Sequence, residues 1–337
     1  MAQMLAGRLH VKDRRFALET VPVPEPAYGQ VRIKVEAAGV CLSDVHLIDG
    51  TLTPLYLSGD VVTLGHEVAG TVDVVGDGVT DWQPGQRVLL QAGEMDAKGT
   101  VYTRGVDYDG GWAEYALASA TTLVAIPDDL PFEQACIIPD AVSTPWAAIT
   151  STAQTRPGEA VAVWGVGGLG AHAIKLLRLV GAAPVIAVEP NEAARERALA
   201  FGADAALDPA DPGLREALGA LTGGRGLDVA FDFAGVPAVR EQALTVLGKK
   251  GRLVLVGLAQ QPVTIPSDTV FAYLGQAVLG HYGSEPEHVE QLVALSRQGR
   301  LDLADSISGV IALADAGKAV EQVHRKQGNP IRLILRP

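Results

Sequence analysis

Residues 161–189 read VAVWGVGGLGAHAIKLLRLVGAAPVIAVE, and the order of the pieces in this stretch decides the fold. VAVW is a short all-apolar run, the pattern of a parallel strand buried on both faces. Gly165-Val166-Gly167-Gly168-Leu169-Gly170 follows, in the spacing G-x-G-x-x-G. AHAIKLLRLVGA then carries apolar residues at helical intervals and stops at Gly181. A second apolar run, VIAV, ends in Glu189, about 20 residues past the glycines. Strand, glycine turn, helix, strand and acid in that order predict a dinucleotide-binding unit. Gly165 allows the tight turn, Gly167 lets the backbone approach a pyrophosphate, and Gly170 lets the helix lie close to the strand. Gly168 and Leu169 complete the turn, where unpaired N–H groups and the helix dipole face the phosphates. Glu189 accepts hydrogen bonds from the adenosine ribose and repels a 2′-phosphate, so the reading is NAD rather than NADP.

Outward from this stretch, strands and helices go on alternating. The helix NEAARERALAFGA, the strand DAALD, the helix LREALGAL, the strand LDVAFDFAG, the helix AVREQALTVL and the strand GRLVLVGL lead to a last strand, QAVLGHYG. That alternation predicts a parallel, doubly wound (Rossmann) sheet over residues 142–278. Upstream the pattern changes to short alternating strands separated by Pro/Gly turns, such as VRIKVEAAGV and VAGTVDVVG beside VPVPEPAYG and QPGQR. A helix starts near Phe132 and is expected to break at Pro139, with another from Ser143 to Thr152. The tail (EHVEQLVALSRQG, ADAGKAVEQVHRKQG, IRLILRP) is surplus to a doubly wound sheet and is expected to rejoin the first part. The predicted class is α/β, with a discontinuous β-rich domain (1–141, 279–337) interrupted by the Rossmann domain.

Composition narrows the partners. The 337 residues suffice for two domains, and 48% hydrophobic residues with 38 glycines is ordinary for a globular α/β chain. A net charge of −12 argues against nucleic acid or an anionic membrane surface. No apolar run approaches the ~20 residues that span a bilayer. Two cysteines and no signal-peptide core point to the cytoplasm.

Three short motifs carry metal-ligand chemistry: Cys41-Leu42-Ser43-Asp44-Val45-His46, Gly65-His66-Glu67 and Pro139-Asp140. Cysteine, histidine and aspartate are all zinc ligands. Their wide separation excludes a zinc finger and fits a catalytic site with one open position. By residue type alone, a buried free cysteine and a satisfied core histidine account for the pattern as well.

The segments GVCLSDVHLIDG, LGHEVAGTV, GDGVTDWQPGQRV, GGWAEYA and VWGVGGLG, in this order, resemble the zinc-dependent medium-chain dehydrogenases, which include alcohol and polyol dehydrogenases. The resemblance runs over essentially the whole chain. It implies a GroES-like catalytic domain ahead of the Rossmann domain and a catalytic zinc on Cys41 and His66. Ile138-Pro139-Asp140-Ala141-Val142-Ser143-Thr144 is similar to the motif of bacterial secondary-alcohol dehydrogenases, which makes Asp140 the third ligand. Glu67 is implied as a fourth or transient ligand, and Asp44 as the acid that fixes the His66 tautomer. Ser43 and His46 match a proton relay to solvent. Thr144, Val256 and Leu258 match positions at the nicotinamide, and Arg332 an arginine that reaches the cofactor phosphates. Leu42 stands where many relatives place a cation.

Larger members bear four cysteines after the strand matching QRVLL. Here Gln91–Gly111 has none, so one catalytic zinc and no thiolate-bound structural zinc is expected. The implied activity is reversible hydride transfer between a primary or secondary alcohol and NAD, in a homodimer or homotetramer. A polyol or threonine-type dehydrogenase is the nearest alternative. A zinc-free quinone or enoyl reductase of the same superfamily would lack the Cys, GHE and Asp set.

Overall fold

A computed structural model describes residues 2–337. The chain divides by contacts into two units: Met1–Ser143 with Glu285–Pro337, and Thr144–Ser284.

The second unit is built on a six-stranded parallel sheet. Its strands lie in the order Ala205–Leu207, Val185–Val188, Val161–Trp164, Leu227–Asp232, Leu247–Leu255, Ala277–Gly280. Numbered along the chain this is 3-2-1-4-5-6, the doubly wound order whose direction reverses between the first and fourth strands. The all-apolar runs are the fully buried ones: every residue of VAVW and VIAV is buried. Trp164, Ile186, Val188, Leu253 and the helix residues Leu214, Leu218, Ala243 and Leu244 form one core.

The turn after the first strand behaves as its glycines require. Gly165 sits at φ +88°, and a Cβ on Gly170 would overlap the Gly165 carbonyl oxygen. A Cβ on Gly167 would meet nothing within 4 Å, so the main chain there faces open space. The helix Gly170–Leu179 follows directly.

The first unit is mostly antiparallel. Its larger sheet runs Leu123–Ala125, Arg87–Leu90, Val68–Val75, Gln30–Val40, Arg332–Arg336, Ile307–Ala312, and Tyr115–Ser119 also pairs with Gln30–Val40. The Arg332–Arg336 strand places Leu333 against Val40 and Leu335 against Ala38, so the tail rejoins this sheet. A smaller sheet of three strands begins the chain. Trp112, Leu9, Val31, Ile33, Leu64, Val88 and Leu90 lie in the core of this unit.

The expected break at Pro139 does not occur. Helical turns run from Phe132–Cys136 through Ile138–Val142 to Ser143–Ala147 and Ala148–Thr152, the second and fourth of them π-turns. A proline breaks an α-helix by removing the N–H that bonds four residues back. Here the Ala135 carbonyl, which that N–H would have reached, takes Ile137 N–H, and Val142 N–H reaches back five residues to Ile137. Such π-turns are frequent at functional sites, and this one carries Asp140.

Candidate metal centre

Four side chains from three sequence-distant segments meet in the first unit. Cys41, His66, Glu67 and Asp140 each offer one ligand atom, and all four atoms lie within 4.8 Å of one another. Each arrives by a different local device. Cys41 is the N-cap of the helix Leu42–Asp49, where the Asp44 carboxylate accepts Cys41 N–H at 2.8 Å in a capping box. His66 follows Gly65, which sits at φ +95° with Trp112 stacked so close that a Cβ would overlap the indole. Glu67 precedes the strand Val68–Val75 and fits only because residue 39 is glycine. A Cβ there would overlap Glu67 Oε2. Asp140 stands on the π-turn.

The donor set fits a zinc ion. Two ligands bound at 2.0–2.3 Å with a tetrahedral angle stand about 3.3–3.8 Å apart. Cys41 Sγ lies 3.6 Å from Asp140 Oδ2, and His66 Nε2 lies 3.4 Å from the same oxygen. On the far side of the imidazole, His66 Nδ1 stands 3.6 Å from Asp44 Oδ1, the placement of an acid that orients a metal-binding histidine. Glu67 Oε2 is buried without a hydrogen-bond partner. Orphaned buried oxygen is costly unless something else, such as a cation, satisfies it.

The charges are tightly coupled. Burial pushes the Glu67 carboxyl up, to about 7, against the opposing pull of Arg332. Burial alone would lower the His66 pKa, but the charge of Asp44 and the hydrogen bond to Asp140 raise it well above its ordinary value. Arg332 belongs to this cluster as well. Its side chain is 4% exposed and lies inside this cluster, with Nη2 2.8 Å from Glu67 Oε1 and 3.5 Å from Asp140 Oδ2. Its Nε donates to Glu67 as well. Through these contacts the guanidinium faces both carboxylates. The reason is topological, since pairing the last strand with Gln30–Val40 carries residue 332 to the Glu67 side chain.

The other candidate residues lie as follows. Ser43 and His46, both half-buried, lie three apart on one face of the helix Leu42–Asp49. In the second unit, Glu189 follows the strand Val185–Val188 directly, with Oε2 accepting Val166 N–H at 2.8 Å, so the acid reaches the glycine turn itself. Gly168 accepts a hydrogen bond at its carbonyl from His172, and Leu169 caps the helix that follows. Thr144 is buried, and its carbonyl is 3.0 Å from His281 Nε2. Val256 is buried, whereas Leu258 is 61% exposed.

The family follows from chain-length similarity. Residues 27–128 match the alcohol dehydrogenase GroES-like domain, and residues 168–298 match the zinc-binding dehydrogenase family. An NDMA-dependent alcohol dehydrogenase of Amycolatopsis methanolica is 31% identical over 98% of both chains. The chain belongs to the zinc-type medium-chain dehydrogenase/reductase family. Among solved structures, 2R,3R-butanediol dehydrogenase from Bacillus subtilis superposes with TM-score 0.91 over 99% of both chains at 26% identity. A zinc-binding dehydrogenase from Sinorhizobium meliloti bound to NADP superposes with the same score over both whole chains at 25% identity. GroES-like and Rossmann-like parts are thus the fold of a medium-chain dehydrogenase, as the sequence implies.

Two residues that hold the four-ligand cluster together are not assigned that place by the sequence, where Arg332 reads only as a cofactor-phosphate arginine. Gly39 is signalled only by its place two residues before Cys41, and Arg332 by nothing local at all. The cysteine-free lobe is held by its own polar side chains. Asp96 and Asp107 cap backbone N–H groups, Asp109 pairs with Arg8, and the fully buried Arg104 bonds the Gln91 and Leu117 carbonyls. Among the described residues, no helix is long and apolar enough to cross a membrane.

Proposed function

We propose that this chain, an oxidoreductase of the alcohol dehydrogenase class, interconverts a primary or secondary alcohol and its carbonyl with NAD, using one zinc per chain. The observation that carries the reading is the convergence of Cys41, His66, Asp140 and Glu67. A zinc ion held there supplies the positive charge that lowers the pKa of an alcohol oxygen. The rest is done by side chains. Asp44, 3.6 Å from the second nitrogen of His66, would orient its ring, and Arg332 would balance the carboxylates that a dication alone leaves in excess. With the cofactor bound, Ser43 would take up the proton that the alcohol releases, and His46 would hand it on to water. In the second unit the open face at Gly167 and the helix N-terminus receive the pyrophosphate, and Glu189 favours NAD. Thr144, Val256 and Leu258 line the nicotinamide in this reading.

Self-association fits the open edge of the parallel sheet. Beside its last strand, Ala277–Gly280, stand Tyr273 and Tyr282, 85% and 72% exposed. Two buried, unpaired cysteines suit a reducing cytoplasm.

The test is an assay of the zinc-loaded protein with NAD and NADP over primary, secondary, aromatic and polyol substrates. Uncharged alcohols should turn over best, with NAD at least tenfold ahead in kcat/KM. Preference for a polyol or threonine moves the assignment to that branch, and a preference for NADP removes the role given to Glu189. Ser43→Ala should lower kcat by about 10²-fold, the lower range for a positioned proton-transfer group, with unchanged zinc content. Unchanged kcat would take Ser43 out of the proton path.

A further inference from the structure

We propose that the buried Asp232–Arg240 ion pair positions the two main-chain loops that receive the reactive end of the dinucleotide. This rests on the dinucleotide reading of the second unit. The strand Leu227–Asp232 pairs with the strand that carries the glycine turn, Asp232 opposite Trp164. These are the first and fourth strands, and ligands of doubly wound sheets bind outside the carboxyl ends of the strands at this reversal. Asp232 is the last residue of its strand and its side chain is fully buried.

The carboxylate bonds three ways. Its Oδ1 accepts Ala234 N–H at 3.0 Å and Gly235 N–H at 2.8 Å, which shapes the loop after this strand. Its Oδ2 accepts Arg240 Nε at 2.8 Å. Arg240, itself buried, then donates Nη2 to the Gly257 carbonyl at 2.7 Å, in the loop after the next strand. The Asp232 carbonyl accepts the N–H groups of Val256 and Gly257 at 3.0 and 2.8 Å. The pair therefore bolts residues 233–235 to residues 256–258.

Glycines make the close approach feasible. A Cβ on Gly257 would overlap Gly235 N, and one on Gly235, at φ +65°, would lie 2.7 Å from the Leu258 carbonyl. A Cβ on Gly165 would lie 3.0 Å from Ala234 N, so the glycine turn is part of the same arrangement. A buried ion pair is a poor means of adding stability, because desolvation offsets most of its attraction and an apolar pair of equal volume does as well. Its use here is directional. It satisfies the main-chain groups of two loops and fixes where they present their remaining backbone atoms.

The experiment is fluorescence titration of the zinc-loaded protein with NADH, with hydrogen exchange followed at residues 233–236 and 256–258. Arg240→Lys keeps the charge but cannot bond both Asp232 and Gly257. It should keep its circular dichroism, weaken NADH at least tenfold and raise exchange in both loops. The double variant D232N/R240L keeps the Ala234 and Gly235 acceptor while losing the bond to Gly257, and should show the same weakening. A folded variant that binds NADH as tightly as wild type overturns the proposal. Failure of both variants to fold assigns the pair to the fold alone and overturns it too. Wild-type protein that does not bind NADH contradicts the dinucleotide reading instead, so the two failures are distinguishable.

Discussion

Cys41→Ser should leave a folded protein that retains no stoichiometric zinc and has almost no turnover. The thiolate is the softest donor of the set, and its loss leaves one imidazole and two carboxylates, a set better suited to harder cations. A Lewis acid supplies several kcal/mol of transition-state stabilisation. At 1.36 kcal/mol per factor of ten, its loss lowers kcat by about 10³-fold or more. NADH binding, which the second unit carries, should change little. Elemental analysis and a steady-state assay on one preparation check this. A variant that keeps its zinc and its turnover removes Cys41 from the site.

Arg332→Met should have the largest effect on stability. The guanidinium is 2.8 Å from Glu67, with side-chain exposures of 4% and 0%. Removing one partner of a buried pair leaves the other charge uncompensated, at a cost of about 3–5 kcal/mol. The cost here includes Asp140, a second carboxylate 3.5 Å from the same nitrogen. Urea unfolding of metal-free protein should show the full loss. Zinc should restore part of it, because the dication takes over the balancing of charge. Glu67→Gln in the Arg332→Met background should also recover stability by removing the stranded charge. A loss below about 1 kcal/mol, the range of an exposed pair, would mean that Arg332 does not balance the cluster.

The fold was legible where its physics is local. The VAVW and VIAV runs, the glycine turn and the regular alternation of strands and helices each report their own conformation, and the doubly wound sheet follows from them. The continuation through Pro139 was not, because the proline rule assumes an α-helical acceptor four residues back. At this position Ala135 bonds Ile137 instead. Cys41, His66 and Asp140 lie far apart in sequence, so residue types and spacing left the metal centre undecided. Resemblance to a family supplied the grouping, and folding supplied the distances. Arg332, Gly39 and the Asp232–Arg240 pair show the other limit. Their roles come from strand pairing and close approach, and neither leaves a local pattern to read.

The most direct test of the central claim is X-ray absorption at the zinc edge, together with the metal-to-protein ratio, on the zinc-loaded protein. One zinc per chain, with a single sulfur at about 2.3 Å and nitrogen and oxygen neighbours at about 2.0–2.2 Å, is the predicted result. A zinc shell without sulfur, or a protein that binds no zinc, would contradict it.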